Sequence, residues 1–275
     1  TETNPFFTEF RTEYGAPDFD KIKIEHYEPA FLKGIEEQNA EIKAIVESRE
    51  TPGFENTIVA LDNSGRTLAR VKGVFYALTE ADTNDEMSAL SEKIAPVLSE
   101  HNDNIYLNQD LYKRVAAVWQ QEQEGKITLT TEQHRLLDRY YKAFIRSGAG
   151  LDAGKQNRLR EINKELSTLA ITFSNHVLNE NNAYRLVIDN EAELAGLPEW
   201  VKTGAAEEAK AVGKEGKWLF TLQNSSRLPL LQYADNRELR KDIYEAYINR
   251  GNNGDANDNK EILKKIISLR LEKAN

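Results

Sequence analysis

The chain has 275 residues, of which 40% are hydrophobic and 29% charged, and its formal net charge is −9. A chain of this length can bury the core of one large domain or of two modest ones. The negative charge argues against nucleic acid as a partner, because phosphate binding needs clustered Lys and Arg. No apolar run approaches the roughly 18 residues that a membrane span needs, and the lack of cysteine excludes disulfides and thiolate zinc sites.

Residues 1–25 are predicted to form an irregular arm, because they combine two prolines, a glycine and scattered aromatic residues. Three side chains of this arm are expected to dock onto the body of the protein: Phe6, Phe7 and Phe10. A first helix is predicted over residues 28–48, where apolar residues recur at intervals of three and four. The Thr-Pro-Gly sequence at residues 51–53 ends this pattern.

A pair of long amphipathic helices is predicted within residues 53–108. Apolar or small residues of the first helix form one stripe: Ile58, Leu61, Gly65, Leu68, Val71, Phe75 and Leu78. The second helix repeats this spacing: Met87, Leu90, Ile94, Leu98, His101 and Ile105. A Thr-x-x-Glu capping box, Thr83 to Glu86, is expected to begin the second helix. Two helices joined by a short turn are expected to pack antiparallel and to bury their stripes on each other.

Three further helices are predicted from their amino-terminal caps. Asn108 is a plausible cap for a helix over residues 109–124. Thr130 and Gln133 form a capping box ahead of a helix that ends near residue 145. Asp152 precedes the longest predicted helix, which continues to about residue 180.

The pattern changes after residue 182. Residues 183–189 and 217–223 are rich in β-favouring side chains and are predicted to pair as an antiparallel ribbon, with a short helix over residues 198–212 between them. Two more helices are expected after Asp235 and Asp258, whose side chains suit helix capping. The last helix runs to residue 275 without a stop signal, so the sequence is expected to belong to a longer protein.

The predicted fold class is therefore mostly α: an antiparallel multi-helix bundle with a small two-stranded β element near residues 183–189 and 217–223. Three parts are expected: the irregular arm of residues 1–25, a helical domain over residues 26–180, and residues 181–275 with the ribbon and more helices. Because a lone two-stranded ribbon is marginal in water, it is expected to lie on helices or on another sheet.

The chain has four histidines: His26, His101, His134 and His176. A helical zinc site needs two histidines four residues apart with a carboxylate base between them, and no two of these are that close. His176 with Glu180, one helical turn later, would be only half of such a site. A structural or surface role is the favoured interpretation of all four, and His101, which lies on the apolar stripe, is expected to be a hydrogen-bonded core histidine.

Two glycine-containing segments match ligand-binding motifs only in part. Residues 148–153 fit a loosened dinucleotide fingerprint but follow a helix instead of a strand, so a helix-to-helix turn is favoured. Residues 251–259, GNNGDANDN, alternate Asp and Asn as a calcium loop does. The glycine and glutamate that an EF-hand needs are replaced by Lys260 and Ile266, so a polar, helix-capping loop is favoured.

The strand over residues 217–223 is the best candidate for a binding element. An exposed sheet edge can add an extended peptide as another strand, through backbone contacts that ignore side chains. The alternative is that this aromatic-rich strand serves packing alone, which is the commoner role of such strands. The sequence assigns no catalytic residue, no metal ligand and no individual substrate contact to this chain.

Several segments match a known family in the same order along the chain: HYEPAF (26–31), FENTIVALDNSG (54–65), ADTND (81–85), NIYLN (104–108), EAELAGLP (191–198), GKWLFTLQN (216–224), ADNRELR (234–240) and AYINRG (246–251). Together they resemble the amino-terminal half of the zinc-dependent oligopeptidase family, which includes thimet oligopeptidase, oligopeptidase A and bacterial dipeptidyl carboxypeptidase. The segments are most similar to the dipeptidyl carboxypeptidase branch. The family's H-E-x-x-H zinc motif lies further along the family sequence and does not occur in this chain.

The resemblance implies that the full-length protein is a zinc metallopeptidase of the peptidyl-dipeptidase type, in which zinc held by two histidines and a glutamate activates water. Its implied substrates are short unstructured peptides, from which it releases carboxy-terminal dipeptides. This chain is expected to form one wall of the substrate channel, opposite a carboxy-terminal catalytic domain of the same protein. On its own it is expected to bind no zinc and to be inactive. The alternative is a free-standing helical module that binds peptides or proteins without catalysis.

The expected location is the cytoplasm or the periplasm of a bacterium, with no membrane span. No targeting segment is visible in the sequence. The first residue is Thr1 rather than Met, so an initiator, a tag or a signal peptide is expected to have been removed.

Overall fold

The structure is a computed structural model that describes residues 4–275. The chain divides into two compact units, one ending at Thr168 and one beginning at Leu169. This division falls inside the longest helix. The three-part organisation expected from the sequence, with a boundary at residue 180, stays a prediction.

The first unit is built of helices. Its complete α-helices are α1 (Ile24–Glu47), α2 (Arg66–Ala81), α3 (Asp85–Tyr106), α4 (Gln109–Gln123) and α5 (Thr131–Arg146). The long helix that crosses the division, α6, spans Ala153–Ala183. These bounds lie within a few residues of the predicted ones, apart from an interruption ahead of α2.

One apolar core of the first unit lies between α1, α2 and α3. Phe31, Val71 and Phe75 are fully buried there, and Ile94 is 1% exposed. The Phe75 ring meets the Tyr27 ring edge-on, with centroids 5.1 Å apart, and the Phe31 ring at 5.3 Å. Edge-to-face pairs of this kind add to the stabilisation that burial of the rings provides.

Helix α1 makes the most extensive helix-to-helix contact of this unit with α2, and it also packs on α3. Gly34 lies at the crossing with α2, where an added Cβ atom would come within 2.8 Å of the Leu68 backbone. Both predicted stripes are largely buried. The expectation that α2 and α3 pack chiefly on each other is wrong, because α1 supplies a third apolar surface that lies against both.

The first of the two predicted central helices is interrupted. Phe54–Val59 form a π-helical turn, Ala60–Asp62 a short α-helical turn, and α2 begins only at Arg66. Gly65 has a φ of 72°, in the left-handed region, and therefore breaks the helix. Its amide donates to the Glu41 carboxylate at 2.7 Å. The spacing of apolar residues had placed Gly65 inside a helix, because spacing alone gives no information about a turn at this position.

The amino-terminal arm begins with a 3₁₀ turn at Pro5–Phe7. Phe6 is fully buried in the core described above and Phe10 packs against it, as predicted. The prediction for Phe7 is wrong, because this residue is 43% exposed. Successive side chains of a 3₁₀ turn point in different directions, so two neighbouring phenylalanines do not reach the same core. Residues 1–3 of the arm lie outside the described residues.

Two arginines of the first unit hold loops through carbonyl oxygens. Arg70 on α2 donates from Nη1 to the Phe6 carbonyl at 2.9 Å. Arg114 on α4 is only 8% exposed and donates to the Ser48 carbonyl at 3.1 Å and the Glu50 carbonyl at 3.4 Å. These charge-assisted bonds satisfy carbonyl groups in the 3₁₀ turn of the arm and beyond the end of α1.

A second core of the first unit lies under α4 and α5. Leu111, Val115 and Val118, on one face of α4, are fully buried there. Trp119 stacks on Tyr141, with ring centroids 4.6 Å apart and ring planes 6° from parallel.

Three predicted helix caps are confirmed by their hydrogen bonds. Asn108 Oδ1 accepts from the backbone amides at the start of α4. Thr130 and Gln133 bond to each other's backbone amides ahead of α5, which is the predicted capping box. Asp152 Oδ1 accepts from the Lys155 amide at 3.0 Å, at the start of α6.

Three predicted caps are wrong by one residue, and one of them is Asp258, which lies just before Asn259, the cap position of the helix that begins at Lys260. Asn84, not Thr83, caps α3 by accepting from the Met87 amide at 2.9 Å. Asn236, not Asp235, caps the helix that begins at Arg237. Neighbouring residues of similar capping ability cannot be ranked from the sequence, because the choice depends on which of them the loop leaves in extended geometry.

The second unit contains the ribbon and the remaining helices. Its strands are β1 (Leu186–Ile188) and β2 (Trp218–Phe220), and its helices are α7 (Glu199–Ala211), α8 (Asn224–Tyr233), α9 (Arg237–Ile248) and α10 (Lys260–Ala274). The strands pair antiparallel, with Val187 opposite Leu219, as predicted. Helix α7 packs against β2, and this supports the ribbon. The mostly α fold class with one small β element is therefore confirmed. Within residues 4–275, no helix combines the length and the apolarity needed to cross a membrane.

Candidate functional site

The second unit contains an open cavity of about 450 Å³. One face of α6 lines it with Val177, Leu178 and Asn181, whose spacing of three or four places them on the same side of the helix. Leu222–Asn224, which lead from β2 into the first residue of α8, also line the cavity. The end of α9 and the turn after it add an aromatic ring and a guanidinium group.

That ring, Tyr247, lies between two guanidinium groups. The Cζ atom of Arg227 is 3.6 Å from the ring centroid, and the Cζ atom of Arg250 is 3.9 Å from it. At these distances both groups lie over the ring, and two groups cannot share one face, so they occupy opposite faces. The negative face of an aromatic ring attracts cations, so the ring holds both arginines in place.

Arg227 is 8% exposed, yet it has no acidic partner among the described residues. Its Nε donates to the Leu222 carbonyl at 3.4 Å and its Nη2 to Asn224 Oδ1 at 2.6 Å. Both acceptors are neutral. A buried guanidinium without a carboxylate keeps its full positive charge next to the cavity.

Arg250 lines the cavity directly and is also not paired with any carboxylate of the described chain. Its Nε donates to the Tyr247 carbonyl at 3.0 Å and its Nη1 to Asn181 Oδ1 at 3.1 Å. A guanidinium has five N–H donors, so donors of Arg250 remain available to a molecule in the cavity.

The amino terminus of α8 adds to the positive potential. This helix begins at Asn224 without a side-chain cap. The backbone amides of Asn224 and Ser225 have no hydrogen-bond partner within residues 4–275. The segment is fixed by the Thr221 amide, which donates to Ser226 Oγ at 2.9 Å. Uncapped amides at a helix amino terminus favour negative charge.

Glu180 fixes the turn that carries Arg250. Its Oε2 accepts from the Gly251 amide at 2.8 Å and from Asn253 Nδ2 at 2.9 Å. Its Oε1 is buried and has no hydrogen-bond partner in the described part of the chain. Because Gly251 is hydrogen-bonded to Glu180 on α6, the residue before it, Arg250, is held at the cavity.

His176 bonds to the same loop instead of facing a metal. Its Nδ1 lies 2.9 Å from Asn259 Oδ1, and Asn259 Nδ2 donates to the Phe173 carbonyl at 3.0 Å. His176 and Glu180 each hold the loop, which agrees with the structural interpretation of this histidine. Among residues 4–275, no three His, Asp or Glu side chains are grouped so that they could hold a metal ion. These residues therefore do not fit the zinc that the resemblance implies for the full-length protein.

In the loop Gly251–Asn259, carboxylates of the loop accept hydrogen bonds from nearby backbone amides. Asp258 Oδ2 accepts from the Gly254 amide at 2.7 Å, and its Oδ1 accepts from the Lys260 amide at 2.9 Å. The backbone bond from Lys260, followed by the bond to the Lys260 side chain, lowers the pKa of Asp258 to about 2. Asp258 thus bonds to the first residue of α10, although Asn259 and not Asp258 occupies the cap position. The loop has the contacts of a helix-capping loop rather than of a calcium site.

His101 is a buried histidine of the first unit, as predicted. It is 5% exposed, and its Nε2 lies 2.7 Å from Gln38 Oε1. Because that oxygen only accepts, Nε2 carries the hydrogen, and Nδ1 is left buried without a partner among the described residues. Burial lowers the pKa of His101, and the nearby Lys72 lowers it further.

The free energy of unfolding of the first unit is expected to fall as the pH drops below about 6.5, the ordinary pKa of histidine. The unfolded chain takes up a proton at His101 there, while the lowered pKa keeps the folded side chain neutral. Stability is full above this pH and declines until the lowered folded pKa is passed. Denaturant titrations at about pH 7.5 and about pH 5.5 test this. His101→Gln keeps a donor for Gln38 and should show a smaller decline, and an equal decline in both proteins would contradict the prediction.

The strand predicted as a binding element is shorter than expected and mostly buried. Leu219, Phe220 and Leu222 are each at most 2% exposed, so their side chains serve packing. The cavity begins where this segment ends, at Leu222 and Gln223. A role of the β2 edge in peptide binding stays a prediction.

Sequence patterns did not single out Arg227, Tyr247 or Arg250. The only indication in the sequence was the position of two segments that resemble the family. GKWLFTLQN contains the cavity residues 222–224, and AYINRG contains Tyr247 and Arg250. Two segments that resemble one family thus meet at one cavity.

No family model matches the chain. Individual proteins do match it. The dipeptidyl carboxypeptidase of Escherichia coli (strain K12) is 38% identical over 274 residues, which is 100% of this chain. The oligopeptidase A of Salmonella typhimurium is 32% identical over 276 residues, or 99% of this chain. The chain is therefore similar to dipeptidyl carboxypeptidase and to oligopeptidase A over nearly its whole length. Saccharolysin of Saccharomyces cerevisiae is a more distant relative, 25% identical over 227 residues.

The chain spans about 40% of the length of the dipeptidyl carboxypeptidase and oligopeptidase A relatives. This share is consistent with the amino-terminal part of such a protein. Identity is higher to the dipeptidyl carboxypeptidase, at 38%, than to the oligopeptidase A, at 32%, in agreement with the branch that the resemblance favoured.

Proposed function

We propose that the chain is the amino-terminal, non-catalytic part of a zinc metallopeptidase that cleaves short unstructured peptides and releases carboxy-terminal dipeptides. The observation that carries this proposal is the alignment of 100% of the chain with a dipeptidyl carboxypeptidase. The proposed partners are a carboxy-terminal catalytic domain of the same protein and short peptides. The proposed location is the bacterial cytoplasm or periplasm.

The proposed role of the chain is to form a wall of the substrate channel. Both units have close-packed apolar cores, so their surfaces deform little. Such surfaces can limit the size of the peptides that enter the channel. The open cavity of the second unit, with its cationic lining, offers contacts to a bound peptide. These residues would bind and orient the peptide, whereas zinc held by the catalytic part would act as the Lewis acid and activate a water molecule.

Peptide hydrolysis tests the proposal directly. The full-length protein should release a carboxy-terminal dipeptide from an amino-terminally blocked peptide, and a chelator should abolish this release. The 275-residue chain should release none, with or without added zinc. Zinc-dependent cleavage that follows this chain through purification would overturn the assignment. Peptide binding by a full-length protein that never cleaves would instead favour a binding module.

A further inference from the structure

We propose that the cavity of the second unit binds the free carboxylate of a peptide, with Arg250 as its principal contact. This inference rests on the proposed function for the identity of the ligand, a peptide. It does not rest on catalysis, because every group that it uses belongs to this chain. It adds a chemical specificity, recognition of a free carboxyl end, to the proposed channel wall.

The charge of the cavity calls for an anion. Arg227 and Arg250 flank one ring, and neither has an acidic partner in residues 4–275. The protein has 45 acidic and 36 basic side chains, so acids for pairing are abundant. Arg250 is half-buried on the cavity wall, so an incoming carboxylate can pair with a guanidinium that no acidic side chain of residues 4–275 neutralises. Glu180, which is also beside the turn, has its Oε2 committed to Gly251 and Asn253.

The donors of the site suit a carboxylate. The guanidinium of Arg250 presents N–H groups in a planar fork, which matches the two oxygens of a carboxylate. The uncapped amides of Asn224 and Ser225 offer further donors at the start of α8. Asn181 Oδ1 already bonds to Arg250 Nη1 and holds the fork in place.

Besides Ser174 and Gln223, three aliphatic side chains complete the lining. Val177 and Leu178 on α6 and Leu222 after β2 lie on the cavity wall. Their side chains suit an apolar side chain on the residue that carries the carboxylate. A volume of about 450 Å³ is within the usual range of small-molecule sites and accommodates one or two residues of a peptide. A peptide that ends in leucine is therefore a fitting probe.

Calorimetric titration of the 275-residue chain with acetyl-alanyl-leucine tests the inference. The free acid should bind at least about tenfold more tightly than the carboxamide of the same peptide, a difference of about 1.4 kcal/mol. Acetyl-aspartyl-leucinamide places the carboxylate on a side chain, and inorganic phosphate supplies a different anion. Acetyl-aspartyl-leucinamide should bind no better than the carboxamide of acetyl-alanyl-leucine. Phosphate should compete only weakly with the free acid. Equal binding of acid and carboxamide, or stronger binding of phosphate, would overturn the proposal.

Arg250→Gln should weaken binding of the free acid at least about tenfold. Arg237→Gln is the matched control, because Arg237 is exposed at the opposite end of α9 and loses the same charge. It should leave binding unchanged. Asn181→Asp covers the case in which Arg250→Gln does not fold, since it keeps Arg250 but gives it an internal carboxylate that competes with the ligand. Unchanged binding in the folded Arg250→Gln protein, or in Asn181→Asp, would refute the proposed site.

The two proposals can fail separately. If the full-length protein does not cleave peptides but the chain still prefers the free acid, only the peptidase assignment fails. If the full-length protein cleaves peptides but the isolated chain treats acid and carboxamide alike, only the carboxylate site fails.

Discussion

Replacing Phe75 by alanine is expected to lower the free energy of unfolding of the first unit by about 3–5 kcal/mol. Phe75 is fully buried, and its ring contacts three others: Tyr27, Phe31 and Tyr76. The substitution removes the favourable transfer of the ring from water and leaves a cavity. Because the surrounding rings are carried by two packed helices, they can fill this cavity only in part.

The measurement can be confined to the first unit. Trp119 belongs to that unit, whereas Trp200 and Trp218 belong to the second. In a background of Trp200→Phe and Trp218→Phe, tryptophan fluorescence in a denaturant titration reports the first unit alone. Phe7→Ala is the control, because a residue that is 43% exposed should change stability by no more than about 0.5 kcal/mol. Similar losses for both substitutions would show that the aromatic cluster does not stabilise this core.

Gly34→Ala is expected to destabilise the first unit by about 1–3 kcal/mol, although alanine stabilises a helix by about 1 kcal/mol relative to glycine. The added Cβ would lie 2.8 Å from both the Cα and the N of Leu68. Backbone atoms cannot move aside as a flexible side chain can, so α1 and α2 must separate along their contact. The same tryptophan background measures the change.

Gly73→Ala is the matched control for this prediction. Gly73 lies within α2, and a Cβ added there would meet nothing within 4 Å. The substitution should therefore stabilise the unit by about 0.5–1 kcal/mol, through helix propensity alone. Opposite signs are expected for two chemically identical changes. Equal effects would show that the close approach at Gly34 does not constrain the helices.

Helices could be predicted from the sequence because their signals are local. An apolar stripe and a cap such as Asn108 act within a few residues, and these contacts are present in the structure. Two errors arose where residues distant in the sequence decide the structure. Gly65 adopts a left-handed turn beside Glu41, which reaches it from another helix. Likewise, the pairing of α1 with α2 depends on Gly34 and Leu68, which no local pattern connects.

The cavity was not predictable in the same way. Its lining residues run from Ser174 to Arg250, and only the packing of the second unit brings them together. In the sequence, Arg227 and Arg250 look like ordinary surface arginines, since their lack of acidic partners is a property of the fold. The family resemblance marked the right segments, but it gave no indication of charge. That property required the contacts of each guanidinium with Tyr247.

The arginine contacts have a consequence for behaviour in acid. Arg70, Arg114 and Arg227 donate to backbone carbonyl oxygens. A carbonyl oxygen does not take up a proton in the range where carboxylates do, and it carries no net charge for salt to screen. These attachments therefore persist when acid neutralises Asp and Glu.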